Sequence, residues 1–173
     1  IFSKILLILF LLQCVMGTSL SAGRKSEAEV KALVLCTRLK YSTFPDARGE
    51  FTVGVVGQNP FDGGLKALQG RKVKGRSLRF LFLEEAQDPN ISSCHVIFVT
   101  RDALNHDKKI LEKIGLNTLT VGSNKWFLRH GGLINVVFKK QGLRWEVNYK
   151  ELEKRPFSVS SKILRVALNR KER

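Results

Sequence analysis

The chain contains no apolar run long enough to cross a bilayer, few sulfur and imidazole groups, and half as much acid as base. Its longest hydrophobic stretch, residues 5–12, is eight residues long, against about twenty for a membrane helix, which excludes a span there. Three cysteines and three histidines are spread through 173 residues, with only Cys94 and His95 adjacent. They show no metal-ligand spacing, so neither a zinc nor a haem centre is expected, and no cofactor is implied. Neither GxGxxG nor GxxxxGK[ST] occurs, which removes the two phosphate-cradling loops with a defined mechanism. No internal repeat, low-complexity tract or long linker divides the chain. With 43% hydrophobic residues, it suits one domain with one core.

The shortage of acid leaves a net charge of +15 and a pI near 10.1, a balance that attracts anionic surfaces. The densest basic run is Arg71-Lys72-Val73-Lys74-Gly75-Arg76, followed by Arg79. Further pairs are Lys108-Lys109, Lys139-Lys140 and Lys154-Arg155, and the tail carries Arg170, Lys171 and Arg173. Scattered over several elements and without interleaved aromatics, these argue against specific nucleic-acid binding. General envelope adaptation, an anionic membrane surface and an acidic partner domain remain open.

The first residues read as an export signal: Lys4 as the basic region, residues 5–12 as the apolar core, then small residues around Ser19, Ser21 and Ala22. Cleavage after Ser21 or after Gly17 fits. The division is therefore 1–21 as a cleaved signal peptide and 22–173 as the domain. Because Ile1 stands first, the start reads as truncated. Cys14 raises the alternative of a lipid anchor, which Leu11-Leu12-Gln13 fits poorly because such sites place a small residue before the cysteine. Export to an oxidising compartment would leave Cys36 and Cys94, either joined in a disulfide or kept as two buried thiols.

Along the domain, helix and strand patterns alternate. Ser26 to Glu29 form a Ser-x-x-Glu capping box, and Val30, Leu33, Val34, Leu35 and Leu39 give a helical apolar face that Pro45 ends. Residues 51–56 read as a strand, Gly57-Gln58 as a turn, and Asn59, Pro60, Phe61, Leu65 and Leu68 as the cap, first turn and buried stripe of a second helix. Strands are expected at 77–83 and 95–100, a helix at 105–114 ending at Gly115, a strand at 118–121, and a one-turn helix at 124–129 capped by Ser123. Residues 133–139 and 143–149 form a hairpin through Gln141-Gly142, and a helix at 160–168 closes the chain. The expected fold is α/β: a single three-layer domain with a mostly parallel sheet of about five or six strands, helices on both faces, and a C-terminal β-hairpin plus helix.

The late segment holds Val121-Gly122, Gly131-Gly132-Leu133-Ile134, Trp145-Glu146-Val147-Asn148, and Ser160-Ser161-Lys162-Ile163-Leu164-Arg165-Val166-Ala167, and these elements carry a resemblance to the YfiR-like family of small bacterial periplasmic proteins. Upstream it continues through KYSTFPD (40–46), VGVVGQNPF (53–61) and CHVIFV (94–99), so that it spans roughly residues 30–168. The resemblance implies a periplasmic regulator, not an enzyme, that binds the periplasmic sensor domain of an inner-membrane diguanylate cyclase. Holding that enzyme inactive lowers cyclic-di-GMP and restrains biofilm formation. It marks Gly131, Gly132, Asn135, Glu146, Asn148, Ser160, Ser161 and Lys162 as structural or partner-binding positions, with a homodimer allowed. The redox control tied to cysteines in some members loses support here. Cys94 is present, but position 54 is glycine and residues 127–137 hold no cysteine.

Other candidates read more simply. GVVGQNPFDGG (54–64) is a tight strand-to-helix turn rather than a phosphate loop. Cys94 and His95 are strand neighbours that face opposite ways, so they cannot form a nucleophile and base pair. His95 reads as a core histidine, and Asp62, Asp102 and Asp107 as caps. Glu146 and Asn148 share a strand face, where Glu146 is expected to pair with Lys162 or Arg165 and Asn148 to fix the following turn, with partner contact as the alternative. A second reading makes the protein a periplasmic ligand-binding module serving a sensor kinase or transport system. Its pocket would lie at the carboxyl ends of the strands, lined by Gly57, Gln58, Thr100 and Ser123.

Overall fold

The β-branched and aromatic segments FTVGVV, VIFV and INVVFK are strands, since such side chains fit a pleated, half-buried surface. The computed structural model describes Cys36 and residues 41–45, 49–85, 87–139 and 142–169. Among these, the strands are β1 (Ser42–Thr43), β2 (Phe51–Val56), β3 (Lys72–Val73), β4 (Arg76–Leu83), β5 (Val96–Val99), β6 (Leu119–Gly122), β7 (Ile134–Lys139), β8 (Gly142–Val147) and β9 (Ser158–Val159). Three short α-helices accompany them: α1 (Arg101–His106), α2 (Tyr149–Leu152) and α3 (Ser161–Leu164). The expected signal peptide, Cys14 and, apart from Cys36, the first expected helix lie outside the described residues.

Seven strands form one curled, mixed sheet, a half-barrel, in the order β3-β4-β2-β5-β6-β7-β8. β2 runs parallel to β4 and β5, with Val53 opposite both Phe80 and Val96. β6 runs parallel to β5 and β7. The two ends are antiparallel, Lys72 facing Ser77 and Ile134 facing Val147. β1 and β9 make a separate antiparallel pair.

Strand alternation divides the core. Phe51, Val53, Val55, Phe98, Val121, Trp145 and Val147 share one cluster with Cys36, Phe61, Leu65, Leu68, Phe157 and Ile163. Val56, Leu83, Ile97 and Val99 share the other with Leu104, Ile110, Leu111, Ile114 and Phe127.

This architecture overturns the expected helix-flanked, mostly parallel three-layer sandwich. The segments that were to form the outer layers are too short for layers. At residues 59–68 there are only two 3-10 turns, Asp62–Gly64 and Lys66–Leu68. The Gly63-Gly64 pair lies within them, and glycine is costly inside an α-helix. Phe61, Leu65 and Leu68 are buried all the same, so the apolar stripe packs without the helix. The helix expected at 105–114 breaks into α1 and a 3-10 turn, Ile110–Lys113. Asp107 stops α1 in an extended conformation, and its carboxylate accepts from Lys109 N at 2.9 Å. Residues 124–129 form turns, and the side chain that accepts from the backbone there is that of Asn124, from Trp126 N at 2.9 Å.

The last expected helix stops at Leu164 because the chain beyond it seals a sheet edge. Leu168 N donates to Trp145 O at 2.8 Å, and the Asn169 amide accepts from Val147 N and donates to Val147 O, both at 2.8 Å. The free side of β8 is thereby paired at Trp145 and Val147, which shortens the template for unwanted strand addition.

Candidate functional site

The late corner is built around Phe127, which is completely buried. A Cβ on Gly132 would lie 2.3 Å from the ring, and one on Gly122 would lie 2.4 Å from it. Only hydrogen at both positions lets the ring in. Gly131 takes φ +92°, a left-handed turn suited to glycine, and Gly132 N then donates to Phe127 O at 3.0 Å. The VG and GG motifs therefore have a packing explanation.

Asn135, buried on the same side of β7, joins three segments. Its Oδ1 accepts from Asn124 N at 3.0 Å, and its Nδ2 donates to Glu146 Oε2 at 3.0 Å. Glu146 is thus bonded to its cross-strand neighbour, which faces it in register. Asn148 caps α2, its Oδ1 accepting from Glu151 N at 3.2 Å, while its Nδ2 donates to Leu128 O at 3.2 Å. Asn148 fixes the following turn as the sequence implies.

Ser160, Ser161 and Lys162 do not join this group. Ser160 Oγ caps α3, accepting from Lys162 N at 3.2 Å, and the Lys162 ammonium stands 5.7 Å from the centroid of the Tyr41 ring. α3 packs on the Trp145 side of β8, where Trp145 Nε1 donates to Ile163 O at 3.0 Å. Successive strand residues point to opposite faces, so Glu146 points away from α3. The expected Glu146 to Lys162 or Arg165 pairing gives way to the bond from Asn135.

At the carboxyl ends of β2, β5 and β6, a cleft of about 420 Å³ is lined by residues that include Gln58, Asn59, Thr100, Arg101, Asp102 and Ser123. It holds three of the four expected pocket residues. Gly57 lines a neighbouring cleft of about 700 Å³ with Glu84, Glu85, Asp102 and Asp107. The sheet order places the first cleft where the chain switches sides, with β4 on one flank of β2 and β5 on the other, the usual location for a ligand crevice in open sheets. Asp102 ties the cleft together. Its carboxylate accepts from Gln58 N at 2.9 Å and from Thr100 Oγ1 at 2.6 Å. Partial burial raises the pKa of this group, but hydrogen bonds from Gln58, Thr100 and nearby amides outweigh that and hold it below its ordinary value. Thr100, not Asp102, caps α1. Gly57, at φ +90°, leaves room for Thr100 Oγ1, which a Cβ there would approach to 2.2 Å.

The Cys36–Cys94 disulfide is not formed. Both thiols are free and buried, in different core clusters. Burial pushes Cys36 up to about 12, and pushes Cys94 up to about 11 despite a hydrogen bond with Ser93. Position 54 adjoins Cys94, since a Cβ on Gly54 would lie 2.9 Å from its Sγ. His95 turns to the other face, where it stacks on Phe51 and accepts from Thr52 N at Nδ1, 3.2 Å away. No group of three or more His, Cys, Asp or Glu able to hold a metal occurs among the described residues.

Two features were missed from sequence. The basic run at 71–79 is partly a staple. Lys74 Nζ donates to Ser42 O at 2.9 Å and to Thr43 Oγ1 at 3.2 Å, Arg76 donates to Gly49 O and Glu50 O, and Arg79 pairs with Glu50 at 3.3 Å. Trp126, next to the buried Phe127, is 43% exposed. The Lys125 ammonium and Arg129 guanidinium lie 5.0 and 4.7 Å from its ring centroid. The cluster was visible in sequence only as K-W-F-L-R.

Among solved structures, the chain is similar to one described as a conserved domain protein from Vibrio cholerae O1 biovar El Tor strain N16961. The TM-score is 0.54 at 12% identity, over 83% of this chain and 60% of that one. At that identity the likeness concerns the fold alone, and this chain spans well under two thirds of its counterpart. No curated protein matches. The family model described as YfiR/HmsC-like matches residues 28–168, the segment that holds the sheet, the Phe127 corner and the cleft, and the chain belongs to that family.

Proposed function

We propose that this protein is a periplasmic, non-catalytic regulator that binds the periplasmic sensor domain of an inner-membrane diguanylate cyclase and holds the enzyme inactive. The observation that carries this reading is family membership across residues 28–168, in a family of regulatory, periplasmic proteins. Export through a signal at residues 1–21 belongs to the same proposal. Among the described residues no helix is long and apolar enough to cross a membrane.

The mechanism is a population shift in the partner, in which tighter binding to the inactive state lowers the active fraction. The Phe127 corner gives that task a rigid frame, with Asn135 and Asn148 holding Glu146, the turn at 124–131 and α2 together. The proposed partner surface is the part of this corner around Glu146, together with residues 30–39, which the sequence pattern predicts to be helical. In native cells, loss of the gene raises cyclic-di-GMP and biofilm mass, and re-expression reverses both. An unchanged cyclic-di-GMP level in both strains would sink the proposal.

A second reading rests on the cleft of about 420 Å³ at the strand carboxyl ends. There the protein is a small-ligand module serving a kinase or transporter. Denaturation of the native-purified protein followed by mass spectrometry of released metabolites supports this reading if a stoichiometric compound appears, provided that Thr100→Val abolishes its retention.

A further inference from the structure

The turn that follows β6 presents opposite surface chemistry at adjacent positions. Phe127 is completely buried between Gly122 and Gly132, while Trp126 is 43% exposed. Burial of the first ring fixes the turn, and the second is held outward. Four backbone bonds brace it: Phe127 N to Asn124 O, His130 N to Trp126 O, Gly131 N to Leu128 O, and Gly132 N to Phe127 O. Neither cleft described above includes Trp126.

Its two nearest cations are Lys125 and Arg129, 5.0 and 4.7 Å from the ring centroid. Tryptophan has an apolar body and one N–H donor, the combination that favours the headgroup layer of a bilayer. Lysine and arginine at the same depth each gain from the negative potential of anionic lipids, and their long stems let the charged ends reach phosphate. The whole chain carries +15, so its overall field has the same sign as this turn. An acidic protein patch would satisfy the cations alone, whereas the exposed indole between them, with its apolar body and single N–H donor, matches the headgroup layer as well.

We infer that residues 125–129 form a docking point for an anionic lipid surface. Trp126 enters the headgroup layer, and Lys125 and Arg129 pair with lipid phosphates. The inference rests on the export that belongs to the regulator reading, and it assigns residues 125–129 of the corner to lipid and not to the partner.

The test is vesicle co-sedimentation of the chain, purified in the processed form found in the cell envelope. The vesicles are either an equal mixture of phosphatidylglycerol and phosphatidylcholine or phosphatidylcholine alone. The parent should bind the anionic vesicles only, with a blue shift of tryptophan emission. That shift reports Trp126, because the chain has two tryptophans and the other, Trp145, is already buried. Trp126→Ala should weaken partitioning roughly tenfold, and the double variant Lys125→Ala/Arg129→Ala roughly 30-fold. The charge-matched control is Arg71→Ala/Lys72→Ala. It alters the β3 region, at the amino end of the parallel strands, opposite the turn, and should stay within about threefold of the parent. Equal losses in the two double variants, an unshifted emission spectrum or equal binding to phosphatidylcholine alone would each overturn the inference.

Discussion

Adding one methyl group at Gly132 should test the packing of the late corner, because the structure leaves it nowhere to go. The new Cβ would sit 2.3 Å from the Phe127 ring, which is itself completely buried, so either the ring or β7 must shift. Overpacking of this kind costs about 1–3 kcal/mol, and about 2 kcal/mol is expected for Gly132→Ala. Phe127→Ala removes a fully buried aromatic and should cost about 4 kcal/mol. Independent effects would sum to about 6 kcal/mol. Without the ring, however, the methyl has nothing to strike and partly fills the space left, so the double variant should lose only about 4 kcal/mol. The coupling is then about 2 kcal/mol, well above the few tenths seen between unconnected sites. Urea unfolding of the four proteins, followed by circular dichroism with one common slope, measures it. Additive losses, or a Gly132→Ala cost below about 0.5 kcal/mol, would refute the ring-clamp argument.

Three further outcomes follow from other parts of the structure. With thiols raised to about 12 and 11 from an ordinary value near 9, alkylation by iodoacetamide at pH 8 should run roughly 1000-fold slower at Cys36 and 100-fold slower at Cys94 than in urea. Labelling at the unfolded rate would contradict their burial. Because the folded values are raised, that stabilisation is complete below about pH 9 and declines as pH climbs toward 11 and 12. Asp102 has the opposite sign. Its folded pKa is lowered from 3.8, so its contribution is present above that value and fades as pH falls below it. The advantage of the parent over Asp102→Asn, about 0.5–1 kcal/mol at pH 7 for partly solvated bonds, should therefore shrink as pH falls below 3.8. A constant difference across that range would rule out the charged form as its source. Asn169→Ala frees both backbone groups of Val147 at the sheet edge, and it should cost about 1–2 kcal/mol in thermal unfolding and promote concentration-dependent aggregation. Unchanged melting and solubility would argue against the edge seal.

How much of this was legible in the sequence depends on whether the signal was local. The hairpin of β7 and β8 was readable from two β-branched segments around Gly142, and Asn148 from its position before a turn. Phe61, Leu65 and Leu68 were correctly assigned to the core, but not the α-helix, because their spacing serves 3-10 turns as well and the Gly63-Gly64 pair favours those. The same substitution within 105–114 and the early end of the last helix at Leu164 accompany a curled sheet with short helices in place of the expected layered sandwich. Glu146 was assigned to Lys162 or Arg165; a turn at Gln141-Gly142 would have set Val137 across from it, whereas the actual register, with Lys139 opposite Gly142, brings Asn135 there. The Phe127 clamp was beyond reach, since it joins glycines ten residues apart through a ring contact that no periodicity encodes.

The measurement that tests the central claim most directly is a crosslinking pull-down from envelope extracts of the native organism, with the chain as bait and mass spectrometry as readout. The regulator account predicts recovery of a membrane diguanylate cyclase crosslinked through its periplasmic domain, with recovery reduced by substitutions at Glu146 or along residues 30–39. Recovery of a sensor kinase or transport receptor with no cyclase would contradict it.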